Sequence, residues 1–315
     1  MEIFSMILSL LCGISLFLYG MSLMGDGLKS VAGDKLETHL YKMTNTPLKG
    51  VLLGTAVTSV IQSSSATTVM VIGFVNSGMM QLHQAIGIVM GANIGTSITG
   101  WVLCLSYIRG AGGVASLISS ATIAAIAAII GTLMKTLSKR SSRKYIANIL
   151  LGFAILMVGM QMMSQAVSPL RSNPAFTGMM TAFSNPVLGI LVGTLMTAVL
   201  QSASAAVGIL QALAVTGMVT FSTAFPIILG IGVGAAAPVM LSSIGANKNG
   251  KRTALIYLID DVFGMLIWAV GFYALNAAWH FDFLEMSVTP VIIAAVNTLY
   301  AISLLFISGC FVLLK

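Results

Sequence analysis

The chain has 315 residues, of which 57% are hydrophobic and only 7% charged, with a formal net charge of +7. Soluble domains carry about 25% charged residues, so the composition excludes a soluble globular protein. The basic excess lies between apolar runs and reads as membrane topology, which excludes a nucleic-acid partner and implies a lipid bilayer.

In chain order, the first apolar run, 3–24, follows Glu2 rather than a basic start, and no small-x-small cleavage site follows it, so it reads as a span rather than a signal peptide. The segment 27–43 mixes Leu28, Val31, Leu36 and Leu40 with Lys and Asp, and predicts an amphipathic helix on the inner surface. The stretch 47–76 is apolar but interrupted by Gln62-Ser63-Ser64-Ser65. Its arms, of about 11 to 15 residues, are too short to span. A helix, a polar turn and a returning helix form a re-entrant hairpin, tolerated at membrane depth only when buried in protein or lining a cavity. Spans follow at 83–104, 112–134 and 145–166. A second interrupted stretch, 186–215, carries Gln201-Ser202-Ala203-Ser204, and spans at 224–245, 253–279 and 288–314 complete the chain.

An ungapped offset of 139 residues maps Gly54-Thr55, Thr58 and Gln62 to Ala66 onto Gly193-Thr194, Thr197 and Gln201 to Ala205. It also carries Gly13, Gly20, Gly91 and Gly95 to Gly152, Gly159, Gly230 and Gly234. The chain is therefore a duplicated unit. All Lys and Arg residues except Arg109 and Arg171 fall in 25–49, 135–144, 246–252 or at Lys315. By the positive-inside rule these segments are cytoplasmic. The N-terminus is then outside, the C-terminus inside, and the expected location is the plasma (inner) membrane. Each unit has an odd number of spans plus one hairpin, so the second is inverted. The predicted fold is an all-α polytopic membrane protein with two inverted-topology repeats, 1–140 and 141–280, each with a re-entrant helical hairpin. An additional C-terminal transmembrane helix occupies 281–315.

In each hairpin the serines precede the returning arm, taken to start at Ala66 and Ala205, where they can act as N-caps. The arm presents free N–H groups and the positive end of its dipole. Two inverted hairpins bring two such ends toward one point near the midplane, a site for a small oxyanion. The spans contain no Lys or Arg to neutralise it, so co-bound cations fill that role, and hydroxyl, carbonyl and Gln oxygens suit Na+. The alternative, hydroxyls that merely tie helices together, is outweighed by the symmetry of the two clusters. Asp260 and Asp261 are the acids within a span. Buried carboxylates are costly in a membrane and functional by default. As helical neighbours they face about 100° apart, and either could replace a sodium ligand or carry a proton. The alternative is that this span begins later and both sit near water. Cys12, Cys104 and Cys310 read as packing residues, and His39, His83 and His280 receive no role. Nothing in the sequence forms a transition-metal site, a nucleotide loop or a nucleophile–base pair, so no enzyme is expected.

These motifs resemble those of the type II sodium/phosphate cotransporter family, in its bacterial branch. The resemblance rests on the doubled Gln-Ser cluster, Gly91-Ala92-Asn93-Ile94-Gly95-Thr96, the Gly20-to-Gly33 region and Phe74-Val75-Asn76-Ser77-Gly78. It implies Na+-coupled uptake of inorganic phosphate by alternating access, with Na+ as coupling ion and no cofactor. By the same resemblance, phosphate is expected at Gln62, Ser63, Ser64, Ser65, Gln201, Ser202 and Ser204. Ions are expected at Thr58, Thr67, Asn93, Thr96 and Thr197, with Asp260 and Asp261 added by the reading above. Asn93 and Thr96 are taken to lie in a Gly-flanked break. The second half departs from the pattern: Ala203 replaces a serine, Gly232 to Ala235 replace Asn-Ile-Gly-Thr, and Asp260-Asp261 stand where Phe-Asn is usual. The family's bacterial members often add a cytoplasmic helical domain beyond the last span; the sequence runs to Lys315. Proton coupling, another oxyanion, or a non-transporting phosphate sensor or assembly subunit stay open, as does a homo-oligomer.

Overall fold

The computed structural model describes residues 2–32, 46–108 and 119–313. Among them are twelve α-helices: α1 (Glu2–Ala32), α2 (Pro47–Ile61), α3 (Ser64–Asn76), α4 (Leu82–Cys104), α5 (Ser120–Leu137), α6 (Ser141–Val167), α7 (Pro174–Ala182), α8 (Pro186–Leu200), α9 (Ala203–Ala214), α10 (Phe221–Ser242), α11 (Lys248–Trp279) and α12 (Pro290–Leu313). Seven of these, α1, α4, α5, α6, α10, α11 and α12, are long and apolar enough to cross a membrane, matching the seven expected spans. Large apolar side chains such as Leu137, Val199 and Ile244 stand exposed on the outer faces, as they do where lipid is the solvent. The chain is a multi-pass membrane protein.

The inversion is visible where the first helices of the two repeats cross. A Cβ on Gly20 would come within 2.6 Å of the Gly152 carbonyl oxygen, and one on Gly13 within 3.0 Å of that of Gly159. The repeat offset carries Gly13 to Gly152 and Gly20 to Gly159. The two contacts therefore exchange under the repeat, and rising numbers on α1 meet falling numbers on α6. Equivalent helices that pack antiparallel are related by a two-fold axis across their length, so one repeat is upside down relative to the other. Small residues permit this backbone-to-backbone approach.

The hairpins obey the same symmetry. α3 ends at Asn76, whose side chain and carbonyl accept from the Asn247 N–H (2.6 Å) and Asn247 Nδ2 (2.9 Å). The far end of α9 instead meets the 280–289 connection, where Ser287 Oγ donates to the Gly217 carbonyl (2.7 Å). These connections lie at opposite ends of α11, so the hairpins enter from opposite sides.

Three expectations need correction. The first span does not stop at residue 24: α1 runs on to Ala32, where Gly25 and Gly27 lie against the Ile61 and Tyr145 carbonyls and dock it on α2 and α6. Residues 27–32 of the expected surface helix thus belong to α1, and its remainder lies outside the described residues, as does the start of the 112–134 span. Asn93 and Thr96 are not in a break, because α4 is continuous from Leu82 to Cys104. Its glycines serve close packing: a Cβ on Gly91 would overlap the Val51 carbonyl, and one on Gly95 would lie 2.7 Å from that of Thr55. Gly230 and Gly234 make the same approach to α8. Helix α7 was not foreseen. It precedes α8 at an angle of 101°, and the offset that carries the expected 27–43 helix to 166–182 would have located it.

Candidate functional site

Each hairpin turns on a glutamine. Gln62 (φ 61°, ψ 23°) and Gln201 (φ 53°, ψ 25°) close α2 and α8 in the left-handed region. A non-glycine there costs roughly 1–2 kcal/mol, so the side chain is retained against a backbone preference for glycine. The next residue, Ser63 or Ser202, is extended and caps the returning helix, accepting from Ala66 N–H (3.1 Å) or Ala205 N–H (3.2 Å). The returning arms therefore begin at Ser64 and Ala203, two residues earlier than expected, because the first serine of each cluster is itself the N-cap. Ser64, Ser65 and Ser204 fall in the first turn, whose N–H groups have no acceptor within the helix.

The two tips are alike in backbone but not in environment. Gln62 is buried. Its Oε1 accepts from Thr99 Oγ1 (2.9 Å), and its Nε2 donates to the Ser59 carbonyl. Gln201 is exposed, and the repeat places Pro238 where Thr99 stands in the first half. Inside the first hairpin Thr58 Oγ1 donates to Thr67 Oγ1 (3.0 Å), which donates to the Ser63 carbonyl (3.0 Å). The second hairpin has Ala206 in place of Thr67, and the buried Thr197 hydroxyl has no hydrogen-bond partner among the described residues. A near-isosteric exchange should therefore act oppositely in the two halves. Thr58→Val is expected to lower stability by about 1 kcal/mol, whereas Thr197→Val removes an unsatisfied hydroxyl and is neutral or stabilising. Thermal unfolding in detergent compares them.

Between the repeats lies a cavity of about 30 Å³. Its polar walls are Ser64 of α3, Asn93 and Thr96 of α4, Asp261 of α11, and Asn297 and Tyr300 of α12; Ala203 of α9 and Gly232 of α10 close it. Asp261 is 1% exposed. Its Oδ1 accepts from Asn93 Nδ2 across the repeats (3.0 Å), and its Oδ2 has no hydrogen-bond partner among the described residues. Tyr257 Oη donates to Ser64 Oγ (3.3 Å), Ser65 Oγ to the Ala235 carbonyl (3.3 Å), and Tyr300 Oη to the Asp261 carbonyl (3.1 Å). The volume admits a dehydrated ion or a few waters, and the lining offers hydroxyl, amide and carboxylate oxygens, the ligand set of a hard cation.

Of the residues singled out from sequence, the cavity gathers Ser64, Asn93, Thr96 and Asp261. Gln62, Ser63 and Ser65 lie at the first tip and Gln201, Ser202 and Ser204 at the second, outside the cavity wall. Thr58 and Thr67 bond to each other between the arms of their hairpin. Asp260 is also buried but does not line the cavity, as its helical spacing from Asp261 requires. The later-starting span is excluded, since α11 begins at Lys248, three turns before either acid. Asn297 and Tyr300 were missed; an Asn within the otherwise apolar 288–314 run was the available signal.

The family model described as Na+/Pi-cotransporter matches this chain twice, over residues 16–165 and 155–308. The uncharacterized protein YqeW of Bacillus subtilis is 26% identical over 252 residues, covering 80% of this chain and 78% of that protein. YjbB of Escherichia coli, named as a candidate inorganic phosphate export protein, is 25% identical over 262 residues, covering 83% of this chain and 46% of YjbB, so the chain spans just under half of that relative. The sodium-dependent phosphate transport protein 2A of sheep is 38% identical over 78 residues, 24% of this chain and 12% of that protein. No solved structure matches.

Proposed function

The chain belongs to the Na+/Pi-cotransporter family, a family of phosphate transporters, and from that premise we propose that it moves inorganic phosphate together with Na+ by alternating access between its inverted repeats. The observation that carries this reading is the pair of serine-capped helix N-termini, α3 and α9, whose first turns adjoin one oxygen-lined cavity between the repeats. Helix N-termini and hydroxyls suit a small oxyanion. Phosphate sits at the tips, held by Gln62, Ser63, Ser64 and Ser65 and by Gln201, Ser202 and Ser204. Na+ sits in the cavity with Asn93, Thr96 and Asp261, between the two anion-binding ends.

The N-terminus lies outside and the basic connections face the cytoplasm. Coupled transport runs in either direction with the gradients, which accommodates both the export in the name of YjbB and the sodium-dependent transport in that of the sheep protein. A second reading has its own support: the open Oδ2 of Asp261 could carry a proton in place of Na+.

Radiolabelled phosphate flux into proteoliposomes tests both. An inward Na+ gradient is expected to drive accumulation that an equal K+ gradient does not. Equal rates in Na+ and K+ would reject sodium coupling, and accumulation driven by an inward proton gradient without Na+ would establish the second reading.

A further inference from the structure

The second repeat has lost the side chains that α4 presents to the cavity. Gly232 stands at the position of Asn93, and Ala235 at that of Thr96. The place is not left open. The Tyr300 ring of α12 lies where a side chain at Gly232 would emerge, with Cε1 2.8 Å and Oη 3.2 Å from the position a Cβ would take. One turn earlier, on the same face of α12, Asn297 lines the cavity and makes no hydrogen bond to another described residue. Across from it the Asp261 carboxylate, buried and aimed into the same space, keeps one oxygen without a hydrogen-bond partner.

α12 is held in register by contacts to both repeats. Trp101 Nε1 donates to Thr298 Oγ1 (2.9 Å), and Gln211 Nε2 to the carbonyls of Pro290 (3.0 Å) and Gly100 (3.1 Å). Tyr300 Oη donates to the Asp261 carbonyl (3.1 Å). This is more fixation than a span needs merely to cross a bilayer, and it sets Asn297 and Tyr300 at a defined depth in the wall.

We propose that α12, which follows the two repeats, completes a monovalent-cation site: Asn297 is a direct ligand through its amide oxygen, together with Asp261, Asn93 and Thr96, and Tyr300 is the positioning residue that replaces the missing wall of the second repeat. One carboxylate among neutral oxygens balances a single positive charge. The single carboxylate disfavours a divalent ion, and the small volume disfavours a larger monovalent one, which leaves Na+. The assignment rests on the transport reading only in calling this ion the coupling ion.

The test uses the whole chain, with two readouts. One is phosphate uptake into proteoliposomes as a function of Na+ and of phosphate. The other, independent of transport, is the thermal shift of the detergent-purified protein on adding NaCl against equal choline chloride. Asn297→Ala is expected to raise half-saturating Na+ about tenfold, leave half-saturating phosphate at high Na+ within twofold of wild type, and remove most of the Na+-specific thermal shift. Asn297→Ser, which keeps an oxygen, is expected to recover part of both and stands in if the alanine variant does not fold. Tyr300→Phe is expected to shift the Na+ dependence in the same direction, less strongly. Leu299→Ala, on the exposed face, should match wild type. If wild type transports and both Asn297 variants match it in Na+ dependence and thermal shift, the ligand assignment is overturned while the transport reading stands. If wild type shows no Na+-driven uptake but a Na+-specific shift that Asn297→Ala removes, the cation site stands and sodium coupling falls. No Na+-specific shift in wild type, with no Na+-driven uptake, overturns both.

Discussion

Phosphate uptake by an Asp261→Ala variant is expected to fall by on the order of 100-fold, the equivalent of about 3 kcal/mol, with the protein still inserted and monodisperse. The carboxylate is 1% exposed and accepts the Asn93 amide across the repeat boundary. Removing it strips the cavity of its charge and leaves the Asn93 donor without its acceptor, a penalty of about 1–3 kcal/mol by itself. Asp261→Asn separates the two contributions. It keeps the shape and the acceptor oxygen and loses the charge, so it should retain uptake but need more Na+ to reach half-saturation. Initial rates of labelled phosphate entry over a range of Na+ make the comparison. An alanine variant that transports at the wild-type rate would remove Asp261 from the site.

The second large effect is on folding. Gly91→Val and Gly230→Val are each expected to abolish recovery of monodisperse protein. A Cβ at either position would overlap a backbone carbonyl of the facing arm, Val51 or Ile190, and backbone in a packed helix cannot step aside as a flexible side chain can. The Gly91 carbonyl also accepts from Thr55 Oγ1 and that of Gly230 from Thr194 Oγ1, both at 3.1 Å, so separating the helices costs the same hydrogen bond in each half. Gly73→Ala, where nothing lies within 4 Å of the new methyl, is the control and should be recovered normally. Size-exclusion profiles of the three variants decide. A clear inequality between Gly91→Val and Gly230→Val would mean that the two seams are not equivalent in the folded protein.

The parts of this architecture that were legible in the sequence are those the chain writes twice. The 139-residue offset paired Gly13 with Gly152 and Gly20 with Gly159 before their contact was known. The two Gln-Ser interruptions marked both hairpin tips, because each splits an apolar run into arms too short to span. What escaped was written once or depends on environment. Asn297 and Tyr300 have no polar-cluster counterpart at the 139-residue offset, where Val158 and Gln161 stand, so the doubled motif did not point to them. The continuity of α4 was hidden because glycines that admit a neighbouring helix look, in sequence, like glycines that end one. The inequality of Gln62 and Gln201 was latent in the Thr99-to-Pro238 difference, but only the fold shows that position 99 faces the tip. Asp260 and Asp261 were equal candidates until helix direction placed Asp261 alone of the two on the cavity wall.

The glycine seams also have a mechanical meaning. α1 with α6, α2 with α4, and α8 with α10 touch backbone to backbone, and sliding any of these pairs by one residue would drive a side chain into a main chain. Such pairs resist sliding along their seams. Other helices meet through side chains rather than backbone: Asn93 with Asp261, Tyr257 with Ser64, Ser65 with the Ala235 carbonyl. Those are the contacts around the cavity. On the proposed reading, an ion in the cavity would lie among contacts that can rearrange without driving a side chain into a main chain, so its arrival and departure would act where the structure yields most readily.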